Sequence, residues 1–362
     1  MSEIFNYSPG PAMLPQAVMR QAQQEFRDWH GTGVSIMEVS HRAADFIRVA
    51  HDAENNLREL LSIPKNYQVL FLQGGAQLQN AAIPMNIMGQ HTKVNYAVSG
   101  VWSQLAAQEA TKYAEVVKAF DTGDQGFTSI APRDQWQLES DAAYFFYCDN
   151  ETVHGVEFHD VPDVSVPLVC DMSSNLLTRT VDVSKFGLIF ACAQKNFGPA
   201  GITVVIVRDD LLQRDPKPFT PSVINYQIQA AKESMQNTPP TFTWYMAGLV
   251  FEWVKEQGGV AMMDQLAQQR SSLIYDYIDR SELFSCPVDP RYRSRVNIVF
   301  DLADQQLNAP FLEMAKQQGL VYLKGHRSRG GMRASLYNAM PMAGAEALVA
   351  LLDQFKKQYH KS

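Results

Sequence analysis

Short apolar runs punctuate the middle of the chain at regular intervals. VLFL (69–72), VNYAV (94–98), EVVKAF (115–120), AAYFFYC (142–148), PLVCD (167–171), LIFACA (188–193) and ITVVIV (202–207) each span four to seven residues. They are too short for helices and show little polar alternation, so they predict strands covered on both faces. Helix-like segments separate them. The clearest helical repeat runs from Phe46 to Leu61, where Phe46, Val49, Ala53, Leu57, Leu60 and Leu61 share one face. Strands alternating with helices predict an α/β fold built on a mainly parallel mixed sheet, with helices over both sides.

Beyond residue 207 the pattern changes. One long helix is expected from about Pro240 to Gln257, ending at Gly258-Gly259, and another from about Met262 to Arg280. RVNIVFDL, a helix near Pro310–Gln318, LVYLKG, MRASLYN and a last helix at 344–358 then suggest a small α+β unit. The expected division is a large domain, 16–265, and a small domain made of 1–15 and 266–362. The boundary falls inside the linking helix. No internal repeat or low-complexity tract interrupts this order.

Composition narrows the function classes. The 362 residues are 46% hydrophobic and 19% charged, as in an ordinary globular protein. A net charge of −7 argues against a nucleic-acid partner, which calls for a basic footprint. The cysteines at 148, 170, 192 and 286 form no CxxC pair, and three lie in apolar runs, which fits a reducing compartment. MSEIFNYSPG has no basic region followed by an apolar stretch, and no apolar run nears the ~20 residues of a membrane helix. A cytoplasmic protein without a membrane partner is expected. The histidines show no HxxxH or Cys/His spacing, so no metal site is expected.

Chemistry gathers where strands end, which is where open α/β sheets bind ligands. Gly74-Gly75-Ala76-Gln77 turns a strand into a helix, and free amides at such a turn suit a phosphate; an ordinary tight turn explains it as well. Trp102 opens a helix after VNYAVSG, placed either to stack on a flat ring or to fill core. Asp171 closes PLVCD, as a buried carboxylate needing a partner or as a helix cap. Lys195 follows LIFACA and precedes Gly198-Pro199-Ala200-Gly201. A snorkelling surface lysine is the commoner case. Desolvation at a strand end would instead lower its pKa from ~10.4 and leave a reactive amine. Together the four are what pyridoxal 5′-phosphate requires: an amine for its aldehyde, a carboxylate for its ring nitrogen, a ring stacker and a phosphate cradle.

Longer motifs extend this reading. SPGPAMLP, MEVSHR (37–42), AQKNFGPAG (193–201), NTPPTF (237–242) and GHRSRGGMRASLYNAMP (325–341) resemble the phosphoserine aminotransferases, fold-type I enzymes of the class V aminotransferase group. The resemblance covers nearly the whole chain. It implies a transaminase interconverting 3-phosphohydroxypyruvate plus L-glutamate with O-phospho-L-serine plus 2-oxoglutarate, in serine biosynthesis. The phosphorylated hydroxythreonine step of vitamin B6 synthesis is a further candidate. The resemblance implies Lys195 as the Schiff-base lysine, Gln194 beside the cofactor phosphate and Asp171 at the pyridine nitrogen. Thr152 matches the hydroxyl near the ring oxygen, Trp102 the stacking residue, and Ala76 with Gln77 the phosphate turn. Asn237 and Thr238 match residues reaching the cofactor phosphate from a neighbouring subunit, implying a homodimer with shared sites. His41, Arg42, His326, Arg327 and Arg333 match the substrate-binding set. Two positions depart from many relatives: Pro9 removes a backbone donor, and Gln77 replaces an arginine, which puts a role for its side chain in doubt.

The cations have a chemical logic of their own. Each substrate carries an α-carboxylate and a second anion, phosphate or carboxylate, and the arginine fork suits both. Taken alone, Lys324-Gly-His-Arg-Ser-Arg reads more simply as a solvated basic turn. Two other readings compete. A phosphate-binding module without catalysis leaves Lys195 and Asp171 unexplained. A cysteine desulfurase-like enzyme of the same fold group needs a reactive loop cysteine, for which only Cys286 is placed.

Overall fold

A computed structural model describes residues 4–359. All seven apolar runs become strands of one sheet: β1 (Tyr67–Gln73), β2 (Lys93–Val98), β3 (Glu115–Asp121), β4 (Phe145–Cys148), β5 (Leu168–Asp171), β6 (Leu188–Cys192) and β7 (Ile202–Arg208). Their order is β1-β7-β6-β5-β4-β2-β3. β7 is antiparallel to both neighbours, and every other pairing is parallel. Chain length explains the exception. Only residues 193–201 join β6 to β7, too few for the crossover of roughly a dozen residues that a parallel return needs. The reversal leaves residue 195 at the carboxyl end of β6.

Both faces of the sheet are covered, as the runs predict. Leu188, Phe190, Val205 and Val207 pack on one side with Ile83 and Ile87. Ile189, Ala191, Val204 and Ile206 pack on the other with Val250 and Phe251. Adjacent strand residues thus serve opposite layers. Helix α1 (Ala44–Leu61) buries Phe46, Ala50, Ala53, Leu57 and Leu61, with Val49 and Leu60 half-buried beside them. Helices α2 (Ala76–Ile87) and α3 (Val101–Ala110) follow β1 and β2.

A second core unites both ends of the described chain. Phe5 and Tyr7 pack with Ile274, Phe284, Phe300, Phe311, Leu348 and Phe355. The Tyr7 hydroxyl donates to the Gly344 carbonyl at 2.7 Å. Helix α4 (Gly259–Asp279) joins the cores, giving Val260 and Met263 to the first and Ile274 and Ile278 to the second. LVYLKG is a shorter strand than its apolar pattern suggests. Leu320–Val321 pairs parallel to Phe5–Asn6, Tyr322 then turns left-handed at φ 65°, and Lys324 makes an isolated antiparallel bridge to Met332. Asn297–Leu302 and Met332–Ser335 pair antiparallel in a small sheet that faces the Lys195 end of the large one. No helix among the described residues is long and apolar enough to cross a membrane.

Candidate active site

β6 runs straight into a single helical turn, Ala193–Asn196, and Lys195 projects from it. Its Nζ donates to Thr152 Oγ1 at 2.6 Å and lies 5.7 Å from the centre of the Trp102 ring. Burial pulls the ammonium down, but Tyr337, Cys192, Asp171 and Cys148 gather around it and the net direction is up. This corrects the expectation of a lowered lysine: desolvation acts as anticipated, and the acidic neighbours outweigh it. In the cofactor-free site Lys195 is therefore an ammonium.

Asp171 ends β5, and its Oδ1 accepts the Ser173 N–H at 2.8 Å. Burial raises its pKa, while the Lys195 charge and the Ser173 bond pull the other way. The carboxylate depends on a nearby cation to stay ionised.

Glycine backbone shapes the third strand end. Gly74 sits at φ 98°, and Gly75 opens α2 with no side-chain cap. A Cβ on Gly75 would lie 3.9 Å from Gln194 Nε2, so the Gln194 side chain closes one wall of the turn. Gln194 Oε1 is buried without a hydrogen-bond partner. Gln77 is exposed, lining a surface cleft with Leu78, Leu105 and Lys112.

The sequence reading missed what holds Trp102. The fully buried Glu151 carboxylate accepts the Trp102 N–H at 3.1 Å, the Ser103 N–H at 2.8 Å and the Ser103 hydroxyl at 2.6 Å. It caps α3 from 49 residues away, because Gly100 has no side chain to do so. A Cβ at Gly100 would lie 2.3 Å from the Glu151 carboxyl carbon. The available signal was an uncapped helix start beside a buried acid. Gly100→Ala should therefore destabilise the fold by roughly 1–3 kcal/mol and weaken cofactor binding, as chemical denaturation and cofactor titration would read. An unchanged unfolding midpoint would show that this contact relaxes freely.

Thr152 also links the two cores. Its carbonyl accepts from Arg333 Nη1 at 3.1 Å. Arg333 is buried, its Nε has no partner, and no carboxylate among the described residues pairs with it. Burial lowers its pKa, against a pull upward from Tyr337 and with a further push down from Arg329. Tyr337, also missed, donates to the Pro9 carbonyl at 2.8 Å, so Pro9 serves as an acceptor although it lacks a donor. Asn196, next to Lys195, accepts the Asn338 N–H at 2.9 Å.

His326 is partly buried, its Nδ1 2.7 Å from the Ser328 hydroxyl, and Arg327 is exposed. Burial, Arg333 and Arg327 hold His326 below its usual pKa. His41 has a buried Nε2 without a partner, and Arg42 is exposed. Asn237 and Thr238 are exposed too, and the Thr238 carbonyl accepts from Gln73 Nε2 at 2.8 Å, near the start of the Gly74-Gly75 turn. The chain thus assembles Lys195, Thr152, Trp102, Asp171, Gln194 and Arg333, while among the described residues His41, Arg42, Asn237 and Thr238 make no hydrogen bond or ion pair with that group.

The pattern of aminotransferase class V matches residues 4–348. The chain is 52% identical over 359 residues to the phosphoserine aminotransferase of Coxiella burnetii (strain CbuG_Q212), covering 99% of this chain and 100% of that one. The chain belongs to the phosphoserine aminotransferase family. A solved phosphoserine aminotransferase studied for radiation damage of its Schiff base superposes with a TM-score of 0.96 at 40% identity, over 99% of this chain and 100% of that one. The pyridoxal phosphate-bound enzyme of Trichomonas vaginalis gives 0.93 at 42%, over 97% and 100%.

The site fits the cofactor of this family on its own geometry. The Gln194 amide nitrogen and the uncapped α2 amides line a glycine cradle rich in donors, Trp102 offers a ring face, and Asp171 waits on a cation. The desulfurase alternative fails. Cys148, Cys170 and Cys192 are buried in strands. Cys286 is half-buried, and burial raises its thiol despite Val288 and Arg293. None is an exposed thiolate.

Proposed function

We infer that this aminotransferase moves the amino group of L-glutamate to 3-phosphohydroxypyruvate, giving 2-oxoglutarate and O-phospho-L-serine. The observation that carries the reading is Arg333, a buried guanidinium without a carboxylate partner, resting on the same residue that holds Lys195. Such a charge calls for an anion, and the α-carboxylate common to both amino acids is the anion at hand.

When bound, pyridoxal 5′-phosphate supplies an aldehyde for the amino group and a ring that accepts electrons from a broken Cα–H bond. The Gly74-Gly75-Ala76 turn and Gln194 would hold its phosphate, Trp102 its ring face, Thr152 its ring hydroxyl and Asp171 its ring nitrogen. Arg333 orients the substrate by its α-carboxylate. Lys195 Nζ, held near Thr152, would take the Cα proton and hold it for return. His41, Arg42, His326 and Arg327 receive the phosphate or the distal carboxylate. Asn237 and Thr238 complete the phosphate site of a second copy, so the protein is proposed as a cytoplasmic homodimer. Their exposure and the Gln73 tether support that placement. Phosphorylated hydroxythreonine is a second candidate substrate on the same anion chemistry. The proposed domains, 16–265 and 1–15 with 266–362, would meet across Thr152 and Arg333.

A coupled assay with glutamate and 3-phosphohydroxypyruvate tests the reading. Turnover should require added cofactor and the phosphate group. Equal turnover of unphosphorylated hydroxypyruvate would overturn it.

The cations should divide their work. Phosphate carries more charge than a carboxylate, so Arg42→Ala and Arg327→Ala should slow the phosphoserine half-reaction more than the glutamate one, by about ten- to a hundredfold. Arg333→Ala should slow both alike. Single-turnover spectra separate these outcomes, and equal losses in all three variants would refute the division.

A further inference from the structure

The turn after Glu151 carries a histidine with no task so far. His154 lies two residues beyond Thr152, and its Nδ1 is buried without a hydrogen-bond partner. Its ring rests on Phe127, centroids 4.8 Å apart. The backbone is pinned there. Gly155 N–H donates to the Glu151 carbonyl at 2.8 Å, and Ser294 N–H donates to the Gly155 carbonyl at 2.9 Å. Gly155 sits at φ 71°, where a Cβ would lie 2.8 Å from the Asn297 carbonyl oxygen.

The ionisable groups facing this ring are Arg329 and His326, from the loop before Met332, and Arg333 from the small sheet. Arg329 is already paired with Asp301 at 2.7 Å. Arg333 and His326 have no carboxylate partner among the described residues. Burial and these three groups push His154 down to about 4, so it is neutral at pH 7. His154 follows by two residues the Thr152 carbonyl that holds the Arg333 guanidinium at 3.1 Å, so an unpartnered ring nitrogen and an unpaired charge come together in a place that suits an anionic oxygen.

We propose that His154 is a further contact for the substrate's anionic groups and takes up a proton from solvent as the anion enters. The inference rests on the aminotransferase reading above, in which Arg333 and His326 receive substrate anions. Its sign is fixed by the environment. Burial first, and then the neighbouring cations, hold the free imidazole neutral, and an anion between them offsets the cations and favours the imidazolium. Binding is therefore linked to proton uptake at pH values between about 4 and the higher value of the bound state. Affinity rises as pH falls through that bound-state value and levels off below about 4.

Sulfate is a suitable probe, because it is a dianion that does not titrate between pH 6 and 8. Calorimetry of sulfate binding to the cofactor-loaded enzyme, in buffers of differing ionisation enthalpy, counts protons taken up. The wild type should take up protons. His154→Gln should bind about tenfold more weakly and take up fewer. His154→Phe keeps the packing on Phe127 and should be at least as weak. Unchanged affinity and proton count in either folded variant overturns the proposal. Should both variants misfold, nitrogen NMR of the wild-type histidines decides it: the His154 ring must become protonated at saturating sulfate, and a ring that stays neutral overturns the assignment. A wild type that turns over phosphoserine normally while these tests fail loses only this inference. A wild type inactive on phosphorylated substrates loses the reading beneath it.

Discussion

Replacing Lys195 with alanine should leave a folded protein that no longer attaches its cofactor covalently and no longer transaminates. Lys195 Nζ is positioned by the 2.6 Å bond to Thr152, and Tyr337, Cys192, Asp171 and Cys148 favour its ammonium form, which must give up a proton before the amine can join the cofactor's aldehyde. It is also the amine beside the Trp102 ring face, 5.7 Å from the ring centre. On the proposed reading, removing it removes both the nucleophile and the base. General-base loss alone costs about 10²–10⁴-fold, and loss of a residue that acts in both roles approaches 10⁴–10⁶-fold. Borohydride should fix the cofactor to the wild type at Lys195 and leave the variant unlabelled, while the unfolding midpoints of the two stay close. Labelling of another lysine in the wild type would refute the assignment.

The large sheet was legible because its strands are apolar on both faces and short, leaving no competing helical reading. The single antiparallel strand was less so, since it follows from the length of a connection and not from any residue in β7. Motif-bearing residues such as Lys195 and Asp171 could be named from strand ends. Glu151 and Tyr337 could not, because their roles depend on partners far away in the chain: Gly100 and Trp102 for one, Pro9 for the other. The direction of the Lys195 shift was misjudged for the same reason. Sequence shows that a strand end is buried, but it does not show which acids converge on it. His41, Arg42, Asn237 and Thr238 are a different case. A resemblance suggested them, and no hydrogen bond or ion pair among the described residues joins them to Lys195; the proposed roles of Asn237 and Thr238 rest on a second copy.

Asp171→Asn should bind the cofactor and yet lose roughly 10²–10³-fold in turnover, the range for removing one preorganised electrostatic partner. Burial pushes the Asp171 carboxyl up, and in the cofactor-free site the Lys195 charge opposes that push. On the proposed reading, with Lys195 joined to the cofactor, the carboxylate would need another cation, and a protonated ring nitrogen would be the one available. The aspartate and the ring nitrogen then stabilise each other's charged forms, and a charged ring withdraws electrons far better than a neutral one. Asparagine is nearly the same shape and can still accept the Ser173 N–H that holds Asp171 at 2.8 Å. It carries no charge, so it cannot keep the ring nitrogen protonated. Geometry should survive while electron withdrawal is lost. Cofactor affinity should fall far less than the rate of Cα proton removal, with glutamate and phosphoserine slowed alike, since both use the same ring. Rapid-mixing spectra with each amino acid, and a primary deuterium isotope effect at Cα, would test this. A variant with near-normal single-turnover rates would remove Asp171 from the site, and a variant that slowed only one substrate would assign it to substrate recognition instead.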